Sequence, residues 1–259
     1  MRKTFWVILL STIVFLSGTL LGVSTVYQVD YVTVEASTVS EEAALEVREL
    51  QEKLEKAYHR SSIFFANADQ ANKLVKEYPY FRITGFYKSY PNRLIVKISE
   101  GAEIYAVESG EQYYILDGEG TTLSLRETHI NELNGAENVI LKGLNVSASI
   151  GSVPVGDEEF SFMLALCKKV SEKFGGIRSK VSSVEVILRS PETIYCMTMR
   201  EGIKIYFGSP SKRMEEKVER ALNEYLFLSN EEKLTGYLLV SENEEGILIR
   251  HFKTGDFQA

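Results

Sequence analysis

The sequence predicts an α+β protein with an N-terminal transmembrane helix, a small domain of order β-α-α-β-β and a larger mixed β domain with two or more helices. Three observations lead to this prediction. An uncharged apolar run lies near the N-terminus, two segments with helical spacing precede a hairpin, and short alternating segments recur in the second half. The composition, 44% hydrophobic and 25% charged, is typical of a globular chain.

The apolar run extends from Phe5 to Val23 and carries no charge. As a helix, it is long enough to cross a hydrocarbon core ~30 Å thick. Arg2 and Lys3 precede the run and acidic residues follow it from Asp30 onward, so the positive-inside rule places the N-terminus in the cytoplasm. A cleaved signal peptide is the alternative, because Gly22 to Ser24 offer a processing site with small residues.

Both interpretations export the remainder of the chain, and its charge restricts its partners. Without Arg2 and Lys3 there are 27 basic and 36 acidic residues, a net charge of −9. This charge argues against nucleic acid or anionic lipid as the main partner. Cys167 lies on an apolar helical stripe, which favours buried free thiols for Cys167 and Cys196, although a disulfide remains the alternative.

The elements of the small domain follow one another closely. Alternation predicts a strand from Tyr27 to Val34, and a capping box followed by helical spacing predicts a helix from Val39 to Tyr58. A shorter helix begins at Asn67 and ends at Pro79. A hairpin then turns at Pro91 and Asn92, and its arms carry alternating apolar residues: Phe81, Ile83, Tyr87, Leu94, Val96 and Ile98.

The larger domain is predicted to contain further hairpins and two helices. YYILDGEGTTL forms a hairpin, ENVILKGLN a strand, and Phe160 to Phe174 an amphipathic helix. The remaining predicted elements are strands at Val181 to Leu188, Thr193 to Met199 and Ile203 to Phe207, a helix at Ser211 to Leu228, and a final hairpin of Gly236 to Val240 with Gly246 to Arg250.

The stretch "SIFFAN…LVKEYPYFRITGFYKSYPNRLIVKISE" resembles the FtsQ/DivIB family of bacterial division proteins, and the order of elements resembles a POTRA domain. The positions that match the family pattern are Ile63, Phe64, Pro79, Tyr90, Pro91, Asn92, Leu94, Val96 and Glu100. The segments YYILDGEGTTL and ENVILKGLN also resemble segments of the family's β domain. The expected division of the chain is a cytoplasmic tail at 1–4, an anchor at 5–26, a POTRA-like domain at 27–101, a β domain at 102–251 and a tail at 252–259.

The resemblance implies a single-pass membrane scaffold at the division septum, not an enzyme, that helps regulate septal peptidoglycan synthesis. It implies FtsL-like and FtsB/DivIC-like partners, with septal peptidoglycan synthases as further partners. In the family, the last strands and the preceding helix bind the FtsB/DivIC partner. On the final hairpin, the expected partner-binding residues are Tyr237, Leu239, Val240, Ile247 and Ile249.

Two other function classes are the alternatives. Ser209 with Lys212, Ser241 with Asn243, and Lys253-Thr-Gly reproduce the order of penicillin-binding-protein motifs, but they lie too close together for that domain. A membrane-anchored signalling protein would need an output domain inside the cell, where only residues 1–4 are expected. We therefore expect no catalytic residue, metal site or cofactor.

Overall fold

The computed structural model describes residues 6, 9–15, 25–37, 41–130, 136–156, 158–188, 193–208, 213–243, 246–255 and 257. The chain divides into two compact units, Met1–Gly101 and Ala102–Ala259. Much of the predicted anchor, residues 5–26, lies outside the described residues. None of the helices within the described ranges is both long and apolar enough to span a bilayer.

The first unit contains two helices and a three-stranded sheet. Its elements are β1 (Tyr31–Ser37), α1 (Glu41–Tyr58), α2 (Ala68–Val75), β2 (Phe81–Ser89) and β3 (Arg93–Glu100). The sheet order is β1-β3-β2, with β1 parallel and β2 antiparallel to the central strand. The order strand, helix, helix, strand, strand matches the sequence prediction.

Local sequence explains most of these elements. The Asn67 side chain accepts a hydrogen bond from the Asp69 N–H at 3.2 Å and caps α2. The Tyr58 hydroxyl accepts from the Ala71 N–H at 3.0 Å, which ties α1 to α2. The core between helices and sheet is formed by apolar side chains that include Leu50, Leu54, Ile63, Leu94, Val96 and Ile98.

The first strand begins later than predicted. Alternation indicated a strand from Tyr27 to Val34, whereas β1 covers Tyr31–Ser37. Residues before Tyr31 pair instead with a loop, because Gln28 forms an isolated bridge with Ser62 and the Ile63 N–H donates to the Tyr27 carbonyl at 2.9 Å. A pattern of period two cannot distinguish a strand in a sheet from an extended segment that pairs with a loop.

The second unit is built on one nine-stranded sheet of the described residues. Its elements are β4 (Glu103–Ser109), β5 (Gln112–Asp117), β6 (Thr122–Arg126), β7 (Val139–Lys142), α3 (Glu158–Phe174), β8 (Val181–Leu188), β9 (Ile194–Met199), β10 (Lys204–Phe207), α4 (Met214–Phe227), β11 (Tyr237–Asn243) and β12 (Gly246–Phe252). The sheet order is β12-β11-β10-β9-β8-β7-β4-β5-β6. The predicted α+β class is confirmed.

The two helices of this unit are crossover connections. α3 joins β7 to β8 and α4 joins β10 to β11, and both strand pairs are parallel. Parallel neighbours need such a connection because the chain must return to the same end of the sheet before the second strand begins. Both helices contribute to one core, which includes Phe160, Met163, Cys167, Val218 and Leu222.

Both cysteines are buried and free in the structure. Cys167 belongs to the core under the helices, whereas Cys196 lies on β9 and is not part of that cluster. Burial raises the pKa of both thiols. The structure therefore agrees with the free-thiol interpretation and not with the disulfide alternative.

Candidate partner-binding edge of the large sheet

β12 forms one end of the nine-stranded sheet. It pairs antiparallel with β11 in a continuous register from Tyr237 opposite Phe252 to Asn243 opposite Gly246. No other strand within the described residues pairs with its outer side. The final hairpin thus supplies an edge strand, which is the kind of surface that can accept a further strand.

The five expected binding residues all lie on this hairpin, but they do not share one face. Val240 and Ile247 are buried, with 2% and 8% of their surface exposed, and Ile249 packs against the same core. Tyr237 and Leu239 are half-buried. They alternate along β11 with the buried Leu238 and Val240 and therefore lie on the face of the strand that points away from the core. The side chains of Val240 and Ile247 are therefore part of the core and are not available to a partner. A partner could contact β12 only through its backbone and its exposed side chains.

The direction of the backbone groups can be read from two contacts. The Leu248 carbonyl accepts a hydrogen bond from the Ser241 hydroxyl of β11 at 3.4 Å, so it faces inward. Because backbone groups alternate along a strand, those of Ile247, Ile249 and His251 face the outer edge. The Ile247 carbonyl accepts from the Arg220 guanidinium of α4 at 3.3 Å, which agrees with this direction.

Helix α4 covers part of the outer edge. Arg220 occupies the Ile247 carbonyl, while no other described backbone segment hydrogen-bonds to Ile249 or His251. The Lys217 ammonium, only 5% exposed, contacts the Glu242 carboxylate of β11 at 2.9 Å. These two cations tie the helix to the hairpin, and within the described residues they do not reach Ile249 or His251.

The opposite end of the sheet is covered by its own chain at the first residue of β6. At β6, the Thr122 N–H donates to the Ser152 carbonyl at 2.9 Å, and the Gly151 N–H donates to the Thr122 carbonyl at 2.8 Å. Thr122 is 1% exposed. Gly151 has a φ of +81°, in the left-handed region that favours glycine, and this conformation lets the loop turn along the strand.

An aromatic cluster covers the face of β11 that points away from the core. The Tyr237 ring stacks on Phe252 with centroids 4.6 Å apart and meets Tyr206 of β10 edge-on at 5.3 Å. Phe257, beyond the last strand, lies 5.1 Å from Tyr206 and 6.3 Å from Tyr237. The expected binding residue Tyr237 is therefore already packed against neighbouring rings.

Sequence reasoning missed Arg220, Lys217 and the aromatic cluster. Both cations flank the apolar stripe of α4, and helical spacing indicates packing without showing which strand the flanking charges reach. The rings come from β10, β11, β12 and the C-terminal tail, so no local window contains more than two of them. To predict which aromatic rings pair across neighbouring strands, one would need to know the register of those strands, and the sequence does not show it.

The residues of the alternative enzyme hypothesis have other contacts or are not described. Ser209 and Lys212 lie outside the described residues. The Ser241 hydroxyl donates to Leu248, and Lys253 pairs with Glu232 at 3.4 Å. Within the described ranges, no group of three His, Cys, Asp or Glu side chains is placed to hold a metal ion.

Comparison with known proteins found two relatives and no matching family model. The chain is 22% identical over 128 residues to "Cell division protein DivIB" of Clostridium tetani (strain Massachusetts / E88), which covers 49% of this chain and 48% of the relative. It is 23% identical over 86 residues to "Cell division protein DivIB" of Clostridium acetobutylicum, which covers 33% of each. The matches thus span at most about half the length of these relatives. They confirm the resemblance to the FtsQ/DivIB division proteins that the motifs indicated.

Proposed function

We propose that the chain is a single-pass membrane scaffold of the bacterial division machinery, which binds other division proteins outside the membrane and helps regulate septal peptidoglycan synthesis. Two observations support this role: the similarity to proteins named DivIB and the open β12 edge at one end of the large sheet. The proposed binding mechanism, addition of a partner strand to β12, rests on this edge. It offers hydrogen-bonding groups to a partner without needing a catalytic or cofactor site.

The partner adds an extended segment alongside β12. The backbone groups of Ile249 and His251 face outward, and an added strand would satisfy them by main-chain hydrogen bonds. The neighbouring side chains Leu248, Arg250 and Phe252 alternate on one face of the edge, with Leu248 38% exposed and Phe252 37% exposed. These side chains would select the partner, while the backbone supplies general affinity.

The partners are FtsL-like and FtsB/DivIC-like division proteins, with the FtsB/DivIC-like protein at β12. Residues 5–26 anchor the chain with its N-terminus in the cytoplasm, and the POTRA-like domain at 27–101 follows the anchor. The β domain at 102–251 reaches its partners at the septum. Septal peptidoglycan synthases are further partners of the assembled complex.

Location in the cell tests the division role. A fluorescent fusion to the full chain should concentrate at the septum of dividing cells. A uniform envelope signal throughout the division cycle would contradict the proposal. Membrane extraction tests the anchor. The full-length fusion should leave the membrane only when detergent is added, whereas a soluble mature form that begins near Thr25 would indicate a signal peptide.

A pair of substitutions at one position tests strand addition. Ile249→Pro removes an outward N–H, so the protein should fold while co-purification of the FtsB/DivIC-like partner is lost. Ile249→Thr retains the N–H and the β-branched shape and should retain the partner. Equal binding by both variants would exclude a main-chain contact at Ile249, and undiminished binding by a chain truncated after Glu245 would exclude β12 as the binding edge.

A further inference from the structure

Three segments of the first unit meet at the end where the chain arrives from the N-terminal apolar run. The Val29 N–H donates to the Ser61 carbonyl at 2.8 Å, and the Asp30 N–H donates to the Asn92 carbonyl at 2.9 Å. The Ile63 N–H also donates to the Tyr27 carbonyl. Residues 27–31, the loop 59–66 and the turn 88–93 therefore form one continuous end of the unit.

Five Tyr and Phe residues lie at this end, Tyr27, Tyr31, Phe64, Phe65 and Tyr90. We call four of them, Tyr27, Phe64, Phe65 and Tyr90, the aromatic platform. The Phe64 ring lies 5.0 Å from Tyr27 and 5.7 Å from Tyr90, and Tyr27 lies 6.3 Å from Tyr90. Phe64, Phe65 and Tyr90 are 50%, 85% and 58% exposed. Tyr27 packs against the core of the unit, whereas Phe64, Phe65 and Tyr90 do not belong to that core.

The platform is surrounded by basic groups. In the three segments the charged residues are Arg60, Lys88 and Arg93 with a single acid, Asp30, so this end is locally positive although the exported chain is negative. The Lys88 ammonium donates to the Phe64 carbonyl at 2.8 Å, which holds this cation beside the rings. Aromatic rings flanked by cations fit the lipid headgroup layer, where rings meet the acyl boundary and cations meet phosphates.

We propose that the aromatic platform lies in the headgroup layer of the bilayer and fixes the orientation of the first unit against the membrane. The inference depends on the proposed anchor. The apolar run ends at Val23 and Tyr27 follows four residues later, so the platform is at most ~14 Å along the chain from the end of the run. Thr25 and Val26 are helical, which shortens this distance further. Because this connection is so short, the surface that the platform contacts is the lipid bilayer and not another protein.

Tryptophan fluorescence can test the platform and the anchor separately, because Trp6 is the only tryptophan of the chain. The full chain is reconstituted in vesicles of phosphatidylcholine and phosphatidylglycerol, with or without brominated acyl chains. The unmodified protein reports on Trp6 in the anchor. Phe65→Trp, combined with Trp6→Phe, reports on the platform, and its exposed site predicts that the variant folds with an unchanged melting temperature.

Leu45→Trp, also combined with Trp6→Phe, is the matched control within the same unit. Leu45 is 69% exposed on α1 and lies 13 residues before Tyr58, about 20 Å along the helix from the platform end. We expect brominated lipid to quench the emission of unmodified Trp6 and of F65W, and to leave L45W unquenched. The F65W emission maximum should also shift to the blue when vesicles are present.

Two outcomes would overturn the inference in different ways. Quenching of Trp6 without quenching of F65W would show an anchored chain whose platform stays in water, which rejects the platform alone. Absence of quenching at both Trp6 and F65W would reject the anchor and the platform together. Equal quenching of F65W and L45W would show that the unit has no preferred orientation, which also rejects the inference.

Discussion

The two edge strands of the nine-stranded sheet, β6 and β12, differ in what pairs with the backbone groups on their outer sides. At β6 the backbone N–H and carbonyl of Thr122 are paired with a loop of the same chain through Ser152 and Gly151. At β12 the Arg220 side chain reaches the edge at Ile247, and the backbone groups of Ile249 and His251 face outward. Backbone groups that are already paired with their own chain are not available to a partner, whereas the outward groups of Ile249 and His251 are.

The difference shows what marks an edge for binding. Both edges belong to one sheet, and each strand has a buried apolar side chain, Leu123 on β6 and Ile247 on β12, so hydrophobic burial alone does not separate them. What separates them is the destination of the backbone hydrogen bonds beyond the last strand. The following predictions test whether β6 is structural and β12 is available, beginning with the largest expected effect.

A leucine-to-alanine pair compares burial at the two edges. Leu123 on β6 is 1% exposed and Leu248 on β12 is 38% exposed. Leu123→Ala should lower the free energy of unfolding by ~2–5 kcal/mol because it leaves a cavity, and Leu248→Ala should lower it by less than ~1 kcal/mol. Urea denaturation followed by circular dichroism measures both, and equal losses would contradict the difference in burial between Leu123 and Leu248.

A proline pair compares the two sides of β12. Leu248→Pro removes a backbone donor on the side that pairs with β11, which leaves an acceptor unsatisfied and should lower the free energy of unfolding by ~1–3 kcal/mol. Ile249→Pro removes an outward donor, so its effect on stability should be clearly smaller. The order of the two melting temperatures is the measurement, and a reversed order would show that the inferred backbone direction is wrong.

Gly151 tests how the β6 edge is closed. Its φ of +81° is unfavourable for alanine, so Gly151→Ala should lower the free energy of unfolding by ~1–2 kcal/mol. Partner binding at β12 should be unchanged, because the loop lies at the opposite end of the sheet. Gly110→Ala is a useful control with a φ of +64° in a hairpin turn that does not cover an edge. Loss of partner binding by Gly151→Ala alone would assign a binding role to β6.

The smallest effect is expected from acid pH at the base of the final hairpin. Hydrogen bonds from the Ser229 backbone and hydroxyl, together with Lys253, hold the pKa of Glu232 below its usual range. Glu232 therefore stabilises the folded state fully above its ordinary pKa near 4.5, and this contribution is lost as the pH falls through the lowered pKa.

Glu232→Gln is the control for this pH dependence. The melting temperature of the variant should change less between pH 6 and pH 3 than that of the unmodified protein, by a small margin because the carboxylate is near the surface. An identical pH profile for both proteins would show that the contact of Glu232 with Ser229 and Lys253 does not support the hairpin.

Much of the first unit follows from local sequence. Asn67 begins α2, the turn at Pro91 and Asn92 joins β2 to β3, and the alternating residues Val96 and Ile98 are buried as predicted. These features depend on neighbouring residues, for which capping, turn chemistry and side-chain period are sufficient. The start of β1 was misplaced because an extended segment looks the same whether it pairs with a strand or with a loop.

The sequence by itself determined the elements of the final hairpin and its place after α4, and it directed attention to Tyr237, Leu239, Val240, Ile247 and Ile249. Only the tertiary structure decided that β7 lies between β4 and β8, that β12 ends the sheet, and that Val240 and Ile247 face the core. The reason is physical: alternation divides a strand into two faces, but which face is buried and which edge is open depend on distant segments of the chain.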